Sequence, residues 1–93
     1  MDIVTSDGRT FEGNTIALFG ANLLVIKAGR GMLGCGYLNV ATAEKLGHAL
    51  AIVTGVSGYE DMLRAEVKQV SSAALALGVV PGMTGAEALK KMD

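Results

Sequence analysis

The chain contains one cysteine, Cys35, and a cysteine thiolate can act as a nucleophile. That chemistry needs a base or a cation close to the thiol to lower its pKa. No charged residue adjoins Cys35 in the sequence, and strand alternation places its side chain on the same face as Leu33 and Tyr37. A free cysteine in such surroundings usually packs as a small hydrophobic residue. Burial is therefore the favoured interpretation, and a catalytic nucleophile is the alternative.

The single histidine, His48, follows Glu44 by four residues, a spacing that places both side chains on one face of a helix. We interpret this pair as part of a solvated helix face. A metal site needs three or four ligands, and one histidine with one cysteine does not supply them. The sequence therefore predicts no metal site and no cofactor.

Gly29, Gly31 and Gly34 have the spacing of the dinucleotide-binding fingerprint and follow an apolar segment that suits a strand. The fingerprint works where the third glycine lies at a helix start facing a pyrophosphate, and the residues after Gly34 are not typical of a helix start. We interpret these glycines as a turn followed by a glycine-containing strand. Gly34 and Gly36 share one face of that strand and leave room there for another element or a ligand.

Four polar residues are candidates for a ligand site: Tyr37, Asn39, Thr54 and Ser57. They follow two predicted strands, and ligands tend to bind outside the carboxyl ends of parallel strands. A helix that begins after Ser57 would favour an anion. The structural interpretation is preferred, because Asn39 can cap a helix, Thr54 can pair in a sheet and Tyr37 can pack. If the protein has a pocket, we expect it at these residues.

These residues lie in and around a predicted strand, helix and strand over residues 32–38, 41–50 and 51–56. The connection between the strands is about a dozen residues long, the minimum for a parallel crossover through a helix. Two capping-box patterns predict helices after Ser57 and Thr84, with Glu60 and Glu87 as the reciprocal partners. An edge strand is predicted over residues 66–70 and a helix over residues 72–77, which Gly78 ends.

The first third of the chain has the pattern of antiparallel strands, over residues 3–5, 10–19 and 23–28. Asp7-Gly8 is a strong hairpin signal between the first two. The second strand alternates imperfectly, and we expect a bulge at Gly13-Asn14 to absorb the slip. The 93 residues are thus predicted to form a single α+β domain. Its expected architecture is a two-layer sandwich, in which a mixed sheet (an N-terminal antiparallel meander, then βαβ) has its helices on one face.

Composition limits the partners of this protein. Hydrophobic residues make up 51% of the chain and charged residues 18%, which suggests apolar surface left for self-association. We expect a homo-oligomer, most simply a dimer, whose interface is an uncovered sheet face around Leu24, Ile26, Ile16 and Leu18. A net charge of −1 without a basic stripe argues against nucleic-acid binding. No segment has the length and apolarity of a membrane span or signal peptide, so we expect a cytoplasmic protein.

Five stretches of the chain, residues 22–28, 35–39, 42–47, 51–56 and 82–89, resemble the YunC-like family of small prokaryotic proteins of unknown function. The resemblance implies a compact α+β fold and no established activity, so it assigns no site residue. Two hypotheses follow. The first is a self-associating module that binds a partner or a small ligand without established activity. The second is a small enzyme that uses Cys35, with Tyr37, Asn39 or Thr54 orienting the substrate.

Overall fold

A computed structural model describes residues 1–93 and contains one six-stranded sheet. The strands lie side by side in chain order, and all neighbours are antiparallel except β4 and β5, which are parallel. The strands are β1 (Asp2–Ser6), β2 (Arg9–Leu18), β3 (Ala21–Lys27), β4 (Met32–Gly34), β5 (Leu50–Ile52) and β6 (Gln69–Val70). This confirms the predicted mixed sheet, with its meander and its one parallel crossover.

Four helices pack on the sheet: α1 (Val40–Leu46), α2 (Tyr59–Arg64), α3 (Ser72–Ala76) and α4 (Gly85–Met92). The α+β class is confirmed. The last three helices share one face, as expected, and their buried side chains join the main core of 16 residues. Helix α1 lies on the opposite face, where Ala43 packs on Leu50 and Ile52. The hand of a parallel crossover is nearly invariant, so the strand order fixes the face of α1 independently of the later helices.

The core lies between the sheet and α2–α4 because alternate strand residues point to that side. Leu24, Ile26 and Leu33 are buried there against Leu89 and Met92 of α4. The expectation that Leu24 and Ile26 belong to the uncovered sheet face is therefore wrong. A strand that is apolar on both faces does not reveal from its sequence which face the helices will cover.

Two predicted features of the N-terminal strands have different outcomes. The hairpin at Asp7-Gly8 is present, and both residues have positive φ values, 52° and 75°, as a two-residue turn requires. The bulge at Gly13-Asn14 is absent, since β2 pairs with β3 in one unbroken register. Phe11 instead faces the core, and Ile16 lies on the opposite side of the sheet. The apolar side chains of β2 therefore lie on the core face in its first part and on the other face in its second part, without any break in the pairing.

Several predicted elements after β3 are longer than the observed ones, whereas α4 ends at Met92 as predicted. Strand β4 ends at Gly34 because the chain turns there, and the Leu38 N–H closes the turn on the Cys35 carbonyl oxygen at 3.1 Å. Helix α1 ends at Gly47, whose φ of 72° makes it a left-handed C-cap, so Leu50 belongs to β5 and not to the helix. β6 keeps only Gln69–Val70 of the predicted edge strand.

The helix caps confirm three of the four predicted N-termini. Asn39 caps α1 and Ser71 caps α3, and Thr84 forms a complete capping box with Glu87. The box predicted at Ser57 is wrong, because α2 begins one residue later and its N-cap is Gly58, which makes no side-chain bond. None of the four helices is long and apolar enough to cross a membrane.

Candidate functional site

The carboxyl ends of β4 and β5 open into a cleft of about 630 Å³, which we call the strand-end cleft. Three segments form its walls: the β2–β3 turn, the turn after β4, and the loop between β5 and α2. The lining residues are Leu18, Gly20, Ala21, Asn22, Cys35, Gly36, Tyr37, Gly55, Val56 and Ser57. The position agrees with the tendency of sheets with parallel strands to bind ligands beyond the strand ends.

Cys35 is buried, with 4% of its surface exposed, and it also lines the cleft. The backbone N–H of Leu24 donates a hydrogen bond to its sulfur at 3.3 Å. None of the lining residues is Asp, Glu, Lys, Arg or His, so no such side chain faces the thiol within the cleft. The arrangement therefore holds the sulfur in place without supplying the base that a cysteine nucleophile needs.

The four predicted ligand residues are placed differently by the structure. Tyr37 and Ser57 line the strand-end cleft, each on a different one of its three walls. Asn39 lies outside it and caps α1, where its Oδ1 accepts the Ala41 N–H at 2.7 Å. Thr54 is exposed, lies beyond the end of β5 and does not line the cleft. The structure thus brings two of the four candidates together beside the thiol.

Backbone amides are the feature of the cleft that residue types did not indicate. The N–H groups of Gly36, Tyr37, Gly55 and Val56 donate to no acceptor within the protein. These four residues follow the carboxyl ends of the two parallel strands β4 and β5, where the ladder of interstrand hydrogen bonds has ended. The sequence signal was a glycine shortly after each parallel strand, and Gly55 has a φ of 70°.

Asn22 is a second lining residue that the sequence did not reveal. Its Nδ2 donates to the Ser57 carbonyl oxygen at 3.4 Å, which links the start of β3 to the loop before α2. These residues are 35 positions apart, so their spacing gave no sign that they would meet. The contact joins two walls of the cleft.

Asp61 holds Ser57, and with it one wall of the strand-end cleft, in place through two hydrogen bonds. Its Oδ2 accepts the Ser57 Oγ–H at 2.8 Å and the Ser57 N–H at 3.1 Å. These bonds lower the pKa of Asp61, the hydroxyl bond most, with a smaller contribution from Arg64. The Ser57 hydroxyl therefore uses its hydrogen within the protein and can only accept a bond from a ligand.

A second recess lies between α1 and β3, on the face of the sheet opposite the main core, and has a volume of about 450 Å³. We call it the α1 groove, and it is mostly apolar. Its lining residues are Leu23, Val25, Met32, Tyr37, Leu38, Asn39, Thr42, Ala43, Leu46, His48 and Leu50. His48 lines this groove and not the strand-end cleft. The histidine and the cysteine are therefore not brought together in one cleft.

The predicted pairing of Glu44 with His48 is not observed. His48 lies beyond the end of α1, and the Glu44 carboxylate accepts the backbone N–H of Ser72 at the start of α3. No three side chains of His, Cys, Asp or Glu come close enough together to hold a metal ion. The glycines 29, 31 and 34 do not form a helix start of the dinucleotide-binding kind, since Gly34 is the last residue of strand β4 and the next helix begins only at Val40.

Three comparisons relate this chain to known proteins. The family described as a domain of unknown function, DUF1805, matches residues 34–92, which include two of the three walls of the strand-end cleft. The uncharacterized protein YunC of Bacillus subtilis (strain 168) is 36% identical over 90 residues, covering 92% of this chain and 89% of that protein.

A solved structure shares the complete fold. The crystal structure of TA1206, a protein of unknown function from Thermoplasma acidophilum, superposes with a TM-score of 0.91 at 34% sequence identity. The match covers 99% of this chain and 90% of that one. Neither relative has a described activity that would bear on the cleft.

Proposed function

The chain belongs to the family described as domain of unknown function DUF1805, and we propose that it is a self-associating binding module that holds a small ligand in the strand-end cleft. The observation that carries this proposal is the set of four backbone N–H groups without acceptors, at Gly36, Tyr37, Gly55 and Val56. They lie in the walls of a cleft without Asp, Glu, Lys, Arg or His.

The ligand is inferred from what the cleft offers. Free N–H groups recognise acceptor oxygens, as in a carboxylate or a carbonyl group. Leu18 and Val56 supply apolar walls for the body of the ligand. The volume of about 630 Å³ lies within the usual range for small-molecule sites, about 300–1,000 Å³. We therefore expect a small, partly apolar molecule that presents at least one acceptor oxygen.

Binding is favoured over catalysis because Cys35 lacks an activating partner. The alternative, a small enzyme with Cys35 as its nucleophile, requires a base that reaches the thiol within hydrogen-bond distance. His48 lies in the α1 groove, and the only hydrogen bond to the sulfur comes from a backbone amide. The proposal places the protein in the cytoplasm, where a lone free cysteine stays reduced.

The test is an amide NMR titration with acetate and acetamide as probes, the first a carboxylate and the second a neutral carbonyl compound. We expect saturable shifts at Gly36, Tyr37, Gly55 and Val56 with at least one probe. The Cys35→Ala protein should show the same shifts, because the thiol takes no chemical part. Shifts that do not saturate, or that are spread evenly over the surface, would contradict a built site.

A pair of glycine variants makes the titration specific. Gly36 lines the cleft, and a Cβ there would meet only the Thr54 methyl group, at 3.7 Å, so Gly36→Ala adds one methyl group at a lining residue without a clash. Gly58→Ala adds the same group in open space outside the cleft. Gly36→Ala should weaken probe binding, and Gly58→Ala should leave it unchanged. Probe turnover that is lost in Cys35→Ala would favour the enzyme hypothesis instead.

A further inference from the structure

We infer that the ligand of the strand-end cleft is an uncharged carboxamide, a group that presents a carbonyl oxygen and an N–H next to each other. The inference rests on the proposed function, since it names the chemical class of the molecule that the same cleft would hold. Three features of the cleft support it: free hydrogen-bond donors, an acceptor at the neighbouring position, and the sign of the charge beside the cleft.

The donors of the cleft are backbone N–H groups on two of its walls. Gly36 and Tyr37 follow β4, and Gly55 and Val56 follow β5. None of these four N–H groups has an acceptor within the protein. The two walls approach each other, because a Cβ at Gly36 would lie 3.7 Å from the Thr54 methyl group. A carbonyl oxygen has two lone pairs, so one such oxygen can accept from two of these groups.

Ser57 supplies an acceptor beside these donors. Its hydroxyl group donates its only hydrogen to the Asp61 carboxylate at 2.8 Å, so the lone pairs of the Ser57 Oγ are left for a ligand. Asn22 lines the cleft from a third wall, where its Nδ2 donates to the Ser57 carbonyl oxygen at 3.4 Å and its Oδ1 accepts no hydrogen bond within the protein. Both side-chain oxygens are matched by a ligand group that donates a hydrogen.

A carboxamide can use a donor and an acceptor of the cleft at the same time. Val56 and Ser57 are consecutive residues that both line the cleft, and consecutive Cα atoms are about 3.8 Å apart. The oxygen and nitrogen of a carboxamide are bonded to one carbon atom, so its acceptor and its donor are also neighbours. An ionised carboxylate and a tertiary amide carry acceptors only. Either of them would leave the Ser57 Oγ without a hydrogen bond.

The charge beside the cleft disfavours an anion. No Lys, Arg or His lines the cleft to balance a carboxylate. Asp61 contacts Ser57 directly, and the hydrogen bonds from Ser57 lower the pKa of Asp61, which keeps it ionised at neutral pH. Arg64 pairs with Asp61 at 3.3 Å and with Glu60 at 4.0 Å. Two carboxylates and one guanidinium group leave a net charge of −1, which repels an anion held at Ser57.

The experiment is an amide NMR titration of the wild-type protein with propionamide, propionate and N,N-dimethylpropionamide. The first probe offers a carbonyl oxygen and N–H groups, the second is an anion, and the third is a neutral carbonyl compound without an N–H. Probes of this size bind weakly, so each is added to about 100 mM, with sodium chloride keeping the ionic strength constant. From the shifts at Gly36, Tyr37, Gly55 and Val56, propionamide should bind about threefold or more tightly than either other probe, the effect of one hydrogen bond.

Ser57→Ala separates the need for a donor from binding as such. The substitution removes the acceptor Oγ and should weaken propionamide binding about threefold. The affinity for N,N-dimethylpropionamide, which donates no hydrogen to Ser57, should not change. Ser72→Ala is the matched control, since Ser72 is exposed at the start of α3 and does not line the cleft. It should bind all three probes as the wild type does.

The outcomes distinguish the class of ligand from the existence of the site. Propionate or N,N-dimethylpropionamide that binds as tightly as propionamide would overturn the carboxamide class and leave the ligand site of the proposed function standing. The same conclusion would follow if Ser57→Ala kept the wild-type affinity for propionamide. The absence of saturable shifts with all three probes would overturn both the class and the site.

Discussion

The backbone N–H of Leu24 donates a hydrogen bond to the Cys35 sulfur at 3.3 Å, and the Cys35 N–H donates to the Leu24 carbonyl oxygen at 3.1 Å. Cys35 thus extends the pairing of β3 and β4 by one position after β4 has ended. Its sulfur accepts a hydrogen bond from an amide on the neighbouring strand, and the residue also lines the strand-end cleft. This gives the thiol a structural task that requires no reactivity.

We predict that Cys35 reacts slowly with iodoacetamide in native buffer and rapidly in denaturant. The thiolate must be exposed to attack the reagent, and only 4% of the residue surface is accessible. Cys35→Ala should lower the free energy of unfolding by about 1 kcal/mol, since little volume is lost. Mass spectrometry of timed samples measures the labelling. Equal rates in the two buffers would make Cys35 the first residue to test for activity.

The sequence located the candidate site better than it described it. It placed Tyr37 and Ser57 near the ends of two parallel strands, where the structure has its cleft, and it placed Cys35 within the first of these strands. It also included Asn39 and Thr54, since spacing shows which residues follow a strand but not which way the following turn leads. Asn22 was missed because its contact with Ser57 depends on how the β2–β3 turn meets a loop far along the chain.

We predict that Thr84→Ala lowers the free energy of unfolding by about 1 kcal/mol. Its Oγ1 accepts the Glu87 N–H at 3.2 Å, and the Glu87 carboxylate accepts the Thr84 N–H at 3.0 Å. The substitution removes the first bond and loosens the second. Thr54→Ala, at an exposed position outside any helix, is the control and should change little. Urea unfolding followed by circular dichroism measures both, and equal midpoints would contradict the role of the cap.

The same capping box predicts a dependence of stability on pH. The Thr84 N–H, then the Thr84 hydroxyl, lower the pKa of Glu87 below its ordinary value of 4.5. A carboxyl group with a lowered folded-state pKa stabilises the protein above its unfolded-state pKa, and this contribution is lost as pH falls through the folded-state pKa. Wild type should therefore lose more stability than Glu87→Gln between pH 6 and about pH 3. Parallel loss in both proteins would show that Glu87 contributes nothing.

The capping patterns predicted where two helices begin and failed for a third. The patterns at Ser71 and Thr84 were correct because the chain enters each helix directly from the capping residue. The pattern at Ser57 was not, because Asp61 takes both polar hydrogens of Ser57 and the helix begins after Gly58. Two acidic residues follow Ser57 at neighbouring positions, and the sequence did not decide which one it would bind.

We predict that Gly85→Ala is strongly destabilising although alanine has the better helix propensity. A Cβ at this position would collide with the Met62 carbonyl oxygen and lie 2.8 Å from the Leu33 Cδ2. Helices α2 and α4 would have to separate, at a cost of about 1–3 kcal/mol. Gly36→Ala, outside any helix and with only an ordinary contact to the Thr54 methyl group at 3.7 Å, is the control. Thermal unfolding of the two variants should differ clearly, and equal melting temperatures would refute this close packing.

The order of the strands was more predictable than the division of the sheet into covered and open faces. Turn signals and the length of the crossover determine which strands are neighbours, and both are local. The choice between Leu24 with Ile26 and Leu23 with Val25 as the core pair depends on where α4 packs, some sixty residues later. Alternation alone could not decide it, because both pairs are apolar.

The last prediction concerns Tyr59, which connects α2 to the first two strands. Its Oη donates to the Asp2 Oδ2 at 2.7 Å and accepts the Thr15 Oγ1–H at 2.8 Å, and its ring lies where a Cβ at Gly13 would be. Tyr59→Phe keeps the ring and removes both bonds. It should lower the free energy of unfolding by about 1 kcal/mol at pH 7. Tyr37→Phe is the control, since Tyr37 is 58% exposed.

Alkaline pH should reduce this difference between the wild type and Tyr59→Phe. Burial, and then the hydrogen bond to Asp2, raise the pKa of Tyr59 above its ordinary value of 10.0. A phenol with a raised folded-state pKa stabilises the protein fully below its unfolded-state pKa, and this contribution is lost as pH rises through the folded-state pKa. The difference between the urea midpoints of wild type and Tyr59→Phe should therefore be smaller above pH 10 than at pH 7. A difference that stays constant over this range would show that the Tyr59 hydroxyl is not linked to folding.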